Sequence, residues 1–485
     1  MTKPNQPWFI RRPFPDSVRS VHLIGIAGSG MGAFACMLRT AGLTVRGSDQ
    51  NVYPPMSDIL ADQGIEWFEG WSPTHLDWKP DVVIVGNVCR RDNPEAVEAE
   101  TRSIPCVSFP QALSDLFLAQ RRPVVIAGTH GKTTTTALTA YLLKACGLGS
   151  GMLVGGMAQN FGSSFLIGDP GAPFVVEGDE YDTAYFDKGP KFLHYRPSIA
   201  VLNNIEFDHA DIYDSLDEII ENFDRLIDIL EPDNLLLANG DDPLVIERAR
   251  RSQSRVITYG FSSEVDLRAT QIVPGPTGCA FDLSLRGESL GTVHSPLAGR
   301  HNVWNALAAF GVGLELGLSF SALKTAITGF KGTQRRQEEK GEVDGVLVMD
   351  DYAHHPTAIR ETLTALSYRY PDRRIWGVYE PKSNTARRNI HQAAYSEAFD
   401  SADRVVLAKP YVKADGLSST EQLDVDKLIA DIQARGTRAT YRPTVDDIVT
   451  LLVEETQPGD LVVVMANSGF GGLVDRLLSA LEERA

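Results

Sequence analysis

Residues 123 to 136 read Pro-Val-Val-Ile-Ala-Gly-Thr-His-Gly-Lys-Thr-Thr-Thr-Thr. An apolar run enters a glycine turn that ends in a lysine and a row of hydroxyls. This order predicts a buried strand, a phosphate-binding loop and a helix N-terminus, where backbone N–H groups and the dipole favour anions. Gly128 and Gly131, with Thr129 and His130 between them, let the backbone close around phosphate oxygens. Lys132 brings a point charge to the outer phosphates, and Thr133, followed by Thr134, offers a hydroxyl to Mg²⁺. The loop is shorter than the full G-x-x-x-x-G-K-[ST] form, with Ile126 where that form has glycine. The Gly131-Lys132-Thr133 core and the strand before it remain.

A second glycine turn, Gly25-Ile-Ala-Gly28-Ser-Gly30-Met-Gly32, lies upstream between the apolar run Val21–Ile26 and a helical stretch, Met31–Ala41. It suits a diphosphate at a helix N-terminus. Asp49 closes the next strand, Thr44–Gly47, where an acid meets a ribose or base. Alone this reads as a nicotinamide site, although the glycines depart from G-x-G-x-x-G counted from Gly25. Two nucleotide-type turns in one chain point to the ATP-driven joining of a nucleotide-bearing substrate to a second molecule. A nicotinamide oxidoreductase would leave the phosphate loop idle. A nucleotide-gated binding protein would hydrolyse ATP without joining anything.

A chain of 485 residues exceeds one ordinary core. Its 43% hydrophobic and 22% charged content is that of a soluble globular protein. A net charge of −17 argues against generic nucleic-acid or anionic-membrane binding. The five scattered cysteines form no C-x-x-C pair and read as reduced, mostly buried thiols of a cytoplasmic protein. Met1 to Arg19 lacks the apolar segment of a signal peptide.

Strands and helices alternate at the spacing of parallel α/β sheets. Asp81–Gly86 and Cys106–Ser108 complete a first unit, 1–120, expected to be Rossmann-like. A central unit, 121–328, carries the phosphate loop and the strand-like runs Phe174–Glu177 and Ile199–Asn203. Asp214–Leu230 and Asn302–Leu316 read as helices, and residues 254 to 297 as a small antiparallel excursion. A third unit, 329–485, holds strands at Val346–Asp350, Arg374–Tyr379, Arg404–Leu407 and Leu461–Met465.

Polar clusters follow several of these strands, where open sheets place their ligands. Glu177-Gly-Asp179-Glu180 offers hard oxygen ligands, Glu177 foremost, for Mg²⁺. Asn203-Asn-Ile-Glu206-Phe-Asp208-His209-Ala-Asp211 is dense in polar groups, with His209 suited to a metal or to orienting a carboxylate. In Gly299-Arg-His301-Asn302-Val-Trp-Asn305 the amides can read an adenine edge, or Asn302 can cap the helix that follows. Thr333-Gln-Arg335-Arg336 offers a guanidinium to a transferring phosphoryl group. Asp350-Asp351-Tyr-Ala-His354-His355-Pro356 pairs acids with histidines at a strand end.

In this order the segments GTHGKTTTT, NIEFDHAD, GRHNVWNA and DDYAHHPT resemble the Mur ligase family over nearly the whole chain. The resemblance implies an α/β protein of three domains: an N-terminal Rossmann-like UDP-sugar domain, a central P-loop ATPase and a C-terminal Rossmann-like domain for the incoming amine. It implies ATP and Mg²⁺. Lys132 would contact the outer phosphates, Thr133 and Glu177 would hold a first Mg²⁺, and His209 a second. His301, Asn302 and Asn305 would surround the adenine, and Asp351 the ribose. Arg335 or Arg336 and His354 would approach the γ-phosphate. Gly28, Ser29, Gly30, Met31 and Asp49 would line the UDP site. Some members carry a carbamylated lysine after the equivalent of His209; Ile212 to Arg225 contains no lysine, which suits a branch that accepts UDP-N-acetylmuramate itself.

Asn51–Met56, Phe186–Phe192 with His194-Tyr195, Glu380-Pro-Lys-Ser383-Asn384-Thr385 and Asn467–Gly472 are similar to the peptide-recycling branch. That branch joins L-alanyl-γ-D-glutamyl-meso-diaminopimelate to UDP-N-acetylmuramate, with Ser383, Asn384 and Thr385 expected near the peptide. The alternative is the branch that adds free L-alanine. The expected partners are the muramyl nucleotide and a murein tripeptide, with no nucleic acid and no membrane, for a monomer or homodimer.

Overall fold

The computed structural model describes residues 9–54, 56–413 and 417–484. Met1 to Trp8 of the N-terminal reading and Pro55 of the Asn51–Met56 segment lie outside them.

Each glycine turn sits at the carboxyl end of a parallel sheet. The first sheet has five strands in the order Glu66–Glu69, Thr44–Asp49, Ser20–Ile24, Val82–Val85, Cys106–Ser108. All its pairings are parallel. Strand order reverses at Ser20–Ile24, so the Gly25 turn opens at the switch point, where such sheets bind ligands. The helix Ser29–Thr40 follows and buries Met31 through Leu38.

The central sheet has ten strands. Its parallel core runs Arg255–Gly260, Leu235–Asn239, Ile199–Leu202, Arg122–Ala127, Pro173–Gly178, Gly151–Ala158. Its middle strands Arg122–Ala127, Ile199–Leu202 and Leu235–Asn239 are almost wholly apolar and buried, as a sheet covered on both faces requires. The antiparallel excursion is present but is no separate sheet. Leu267–Gly275, Gly278–Leu285 and Glu288–Ser295 extend this same sheet at one edge. The helices Lys132–Ala145 and Arg300–Glu315 lie side by side on one face, packing Leu138, Leu142, Val303, Leu307 and Phe310 into one core.

The third sheet runs Glu338–Val343, Val346–Asp351, Asp460–Met465, Arg374–Tyr379, Arg404–Leu407, Arg438–Tyr441, antiparallel only at its first pair. Gly332 and Gln334 still hydrogen-bond Gln159 and Met157 of the central sheet. We therefore propose that the chain passes between the second and third units just after Gln334, slightly beyond residue 328. Among the described residues no helix is long and apolar enough to cross a membrane, and all five cysteines are free thiols.

Candidate active site between three sheets

Strand Arg122–Ala127 delivers the phosphate loop. Gly128 has φ +127°, and a Cβ there would lie 3.0 to 3.1 Å from the Asn203 and Asn204 backbone. Gly131 caps the helix at φ +80°, and its Cβ would meet Asn305 Oδ1 at 2.6 Å. Both positions combine left-handed backbone with close approach, which only glycine meets without strain. Gly131→Ala is expected to raise the KM for ATP about 5- to 150-fold, since strain of about 1–3 kcal/mol is transferred to the loop. Steady-state kinetics at saturating acceptor checks this.

Lys132 folds back over the loop. Its Nζ donates to Gly128 O at 2.6 Å, Thr129 O at 3.3 Å and Glu180 Oε2 at 2.9 Å. Burial works against its charge, but Glu180, Asp179 and Glu177 outweigh it and hold the ammonium above its ordinary range. Glu180 is almost fully buried. Burial would raise its pKa, yet Lys132 and His209 bring it down to about 2. His209 Nε2 stands 3.1 Å from Glu180 Oε1. Against the cost of burial, Glu180 and then Asp208 push this imidazole up to about 9, so it is a cation at neutral pH.

His209 therefore contributes stability that is complete below the ordinary histidine range and fades as pH rises through about 9. The expected loss is on the order of 1 kcal/mol, because this ring is partly exposed and screened. Urea midpoints measured from pH 6.5 to pH 10 should fall along this limb in the wild type and stay flatter in His209→Asn.

The three acids after strand Pro173–Gly178 face different partners. Glu177 Oε2 accepts from Gly155 N at 3.0 Å, while its buried Oε1 has no partner among the described residues. Burial and Asp179 raise its pKa, while the Thr133 hydroxyl beside it pulls the other way. A buried carboxylate oxygen left orphaned beside a hydroxyl is a donor set that fits a hard cation. Asp179 Oδ2 accepts from Lys191 Nζ at 3.1 Å. Thr133 and Glu177 are thus brought together. His209 engages Glu180 instead.

A cavity of about 840 Å³ opens between the central and third sheets. His130, Gly131, Thr134, His301, Asn302, Asn305, Arg336 and Asp351 all line it. Thr135 Oγ1 donates to Asn305 Oδ1 at 3.0 Å, Asn305 Nδ2 to Asn302 Oδ1 at 3.0 Å, and Asn302 Nδ2 to Ala298 O at 2.7 Å. This chain fixes both amides on the helix Arg300–Glu315. Burial, and then Arg336, push His301 down to about 4, so it is neutral. Asp351 accepts from Gln337 N and Ala353 N, both at 2.7 Å.

The two arginines separate. Arg335 donates to Asp350 Oδ2 at 3.0 Å, Ala466 O at 2.7 Å and Ser468 O at 2.6 Å, and does not line the cavity. Arg336 does, with its guanidinium 4.7 Å from the Tyr352 ring centroid. His354 Nε2 lies 3.9 Å from Asp208 Oδ2, and the hydroxyls of Tyr379 and Tyr395 pin the His354 carbonyl at 2.9 and 2.8 Å. Burial lowers the His354 pKa despite Asp208, so it is a neutral base.

His130, Glu206 and His355 bring ligand atoms within 4.8 Å of one another. Glu206 already accepts from Thr357 Oγ1 at 2.7 Å, and His355 Nδ1 from Thr357 N at 3.3 Å. We read the cluster as a latch between the two sheets. Thr385 Oγ1 makes a second tie, accepting from Ala210 N at 3.1 Å. Ser383 caps Ala386 N, and Asn384 Oδ1 accepts from Lys413 at 3.4 Å.

In the first unit, Asp49 Oδ2 accepts from Ala27 N at 2.9 Å and shapes the glycine turn. Ala27, Gly28, Ser29 and Asp49 line a cavity of about 1100 Å³. Gly28, Ser29, Gly30 and Met31 also line a narrower cleft, about 210 Å³, whose far wall carries Glu177, Asp179, Tyr181 and Lys191. This cleft joins the first glycine turn to the acids of the central sheet.

Residues 20–121 match the Mur ligase catalytic domain, 126–313 the Mur ligase middle domain, and 335–468 the Mur ligase glutamate ligase domain. The chain belongs to the Mur ligase family. It is 36% identical, over 96% of its length and 99% of the relative's, to the UDP-N-acetylmuramate–L-alanyl-γ-D-glutamyl-meso-2,6-diaminoheptandioate ligase of Escherichia coli K12. It is 34% identical, over 94% of its length and 93% of the relative's, to the UDP-N-acetylmuramate–L-alanine ligase of Salinibacter ruber. The solved murein peptide ligase of Psychrobacter arcticus 273-4 superposes with a TM-score of 0.70 at 33% identity, covering 95% of this chain and 98% of that one.

Proposed function

We propose that this chain is an ATP-dependent ligase that joins L-alanyl-γ-D-glutamyl-meso-diaminopimelate to UDP-N-acetylmuramate, in the cytoplasm, for peptidoglycan recycling. The observation that carries the reading is the cleft that leads from the Gly28–Met31 turn to Glu177, with Lys132 and its phosphate loop on the same sheet end. Full-length likeness to a relative of that name supports the choice of peptide.

The muramyl nucleotide lies on the first sheet, its diphosphate at the N-terminus of helix Ser29–Thr40 and its lactyl carboxylate toward Glu177. ATP lies in the cavity between the second and third sheets, with adenine against His301, Asn302 and Asn305 and ribose toward Asp351. Thr133 and Glu177 would hold Mg²⁺, which would neutralise phosphate charge there. The carboxylate oxygen attacks the γ-phosphorus and ADP leaves, giving an acyl phosphate. Lys132 and Arg336 stabilise the charge spread over the transferring group. Arg335 positions Arg336 by anchoring the segment to Asp350 and the Ala466–Ser468 backbone.

The peptide's N-terminal amine then attacks the acyl carbon, and phosphate leaves from the tetrahedral intermediate. The amine must shed a proton. His354 is neutral and can take it, whereas His209, already protonated on Glu180, cannot. Closure of the latch residues excludes water from an intermediate that would otherwise hydrolyse.

A label tests this path. With ¹⁸O in the lactyl carboxylate, one labelled oxygen should appear in the released phosphate and the other in the new amide carbonyl. Unlabelled phosphate alongside a labelled condensed product would exclude acyl phosphate formation.

A further inference from the structure

Lys191 lies in the Phe186–Phe192 segment and has no part in the reaction steps assigned to Lys132, Arg336 and His354. It opens the short helical turn Lys191–His194 and reaches into the narrow cleft between the first and central sheets. Its side chain is 12% exposed. Holding a lysine so deep costs side-chain entropy and hydration, which a structural surface pair does not require. Its ammonium lies 3.1 Å from Asp179 Oδ2, 4.1 Å from the Tyr181 ring centroid and 5.7 Å from that of Phe109. Among the described residues Asp179 is its only hydrogen-bond partner, and an ammonium carries three donors.

The opposite wall of the cleft is the Gly28-Ser29-Gly30 turn. Asp179 and the Tyr181 ring hold the cation in place. Tyr181 in turn packs against His209 at 5.2 Å, and His209 leads through Glu180 to Lys132. The cation thus stands between the turn that takes a diphosphate and the groups that take the γ-phosphate.

We propose that Lys191 is a substrate-binding residue whose ammonium grips an anionic group of the muramyl nucleotide within this cleft, either the diphosphate or the lactyl carboxylate. The proposal rests on the reading of the first glycine turn as the nucleotide site. Asp179 and Tyr181 are positioning residues that act through Lys191.

Calorimetric titration of the full chain tests it, with UDP-N-acetylmuramate, UDP-N-acetylglucosamine and Mg·ATP as separate ligands. In Lys191→Met the Kd for UDP-N-acetylmuramate should rise at least tenfold, while that for Mg·ATP stays within twofold. A parallel loss for UDP-N-acetylglucosamine, which lacks the lactyl carboxylate, assigns the contact to the diphosphate. A loss confined to the muramyl nucleotide assigns it to the carboxylate. Lys191→Gln, which can still hydrogen-bond Asp179, serves if the Met variant does not fold, with the same tenfold expectation. A folded variant that binds UDP-N-acetylmuramate within twofold of wild type overturns the proposal. Wild-type protein that fails to bind this nucleotide would instead remove the reading of the glycine turn.

Discussion

Lys132→Ala is expected to lower ADP release that depends on both acceptor and amine by about 10³-fold, the scale of losing one preorganised charge at a transferring group. The loss belongs mainly to kcat, because charge on the transferring phosphoryl oxygens develops in the transition state. The KM for the muramyl nucleotide should change little, since that ligand lies on another sheet. Lys132 also donates to the Gly128 and Thr129 carbonyls, so the loop itself loosens and the KM for ATP rises as well. Coupled-enzyme kinetics at a temperature where far-UV dichroism shows a folded variant separates these terms. Full turnover in a folded Lys132→Ala protein would remove the phosphate loop from the reaction.

Glu180→Gln should be the most destabilising conservative change in the central domain. Glu180 is the shared partner of Lys132 and His209, and its removal takes the nearest counter-ion from both, leaving Lys132 only Asp179 and Glu177 and His209 only Asp208. Breaking a buried pair in this way costs about 3–5 kcal/mol. The pH dependence follows with a definite sign. The Glu180 carboxyl is held down to about 2, so its contribution is complete above the ordinary carboxylate range and lost as pH falls toward 2. In Glu180→Gln this acid limb disappears. His209 also returns toward its ordinary pKa, so the alkaline limb moves down with it. Urea titrations at pH 3, 7 and 9 should show the largest wild-type advantage at pH 7. A variant equal to wild type at pH 7 would show that the Lys132–Glu180–His209 chain does not support the fold.

The sheets were legible because parallel strands buried on both faces leave long apolar runs, as at Val124–Ile126 and Leu461–Val464. The antiparallel edge was partly legible. Residues 254 to 297 showed alternation and turn residues, but nothing in them says that they extend the central sheet rather than form their own. Glu66–Glu69 escaped notice because its charged ends and four-residue length hide an edge strand. Gly151–Ala158 escaped because glycines interrupt its apolar run where the register shifts.

At the site, residues on one loop could be grouped by spacing, whereas partners from different loops could not. The family resemblance paired Glu177 with Thr133, but the run Glu177 to Glu180 itself gave no sign that Glu177 also faces Gly155, Asp179 faces Lys191, and Glu180 faces Lys132 and His209. Likewise Arg335 and Arg336 are adjacent, yet only Arg336 faces the cavity. The difference comes from Arg335, whose backbone sits at φ +56° and turns its side chain onto the third sheet. Lys191 sat in a segment, Phe186–Phe192, that carried only a likeness and no motif of its own.

The proposed function turns on which amine the third sheet presents to an acid activated on the first. Phosphate release with UDP-N-acetylmuramate and Mg·ATP, comparing the tripeptide L-alanyl-γ-D-glutamyl-meso-diaminopimelate with free L-alanine, separates the two possibilities. The kcat/KM for the tripeptide should be at least 10²-fold above that for L-alanine, about 2.7 kcal/mol of discrimination. Equal or faster turnover with L-alanine would contradict it and place the chain with the ligases that add the first amino acid.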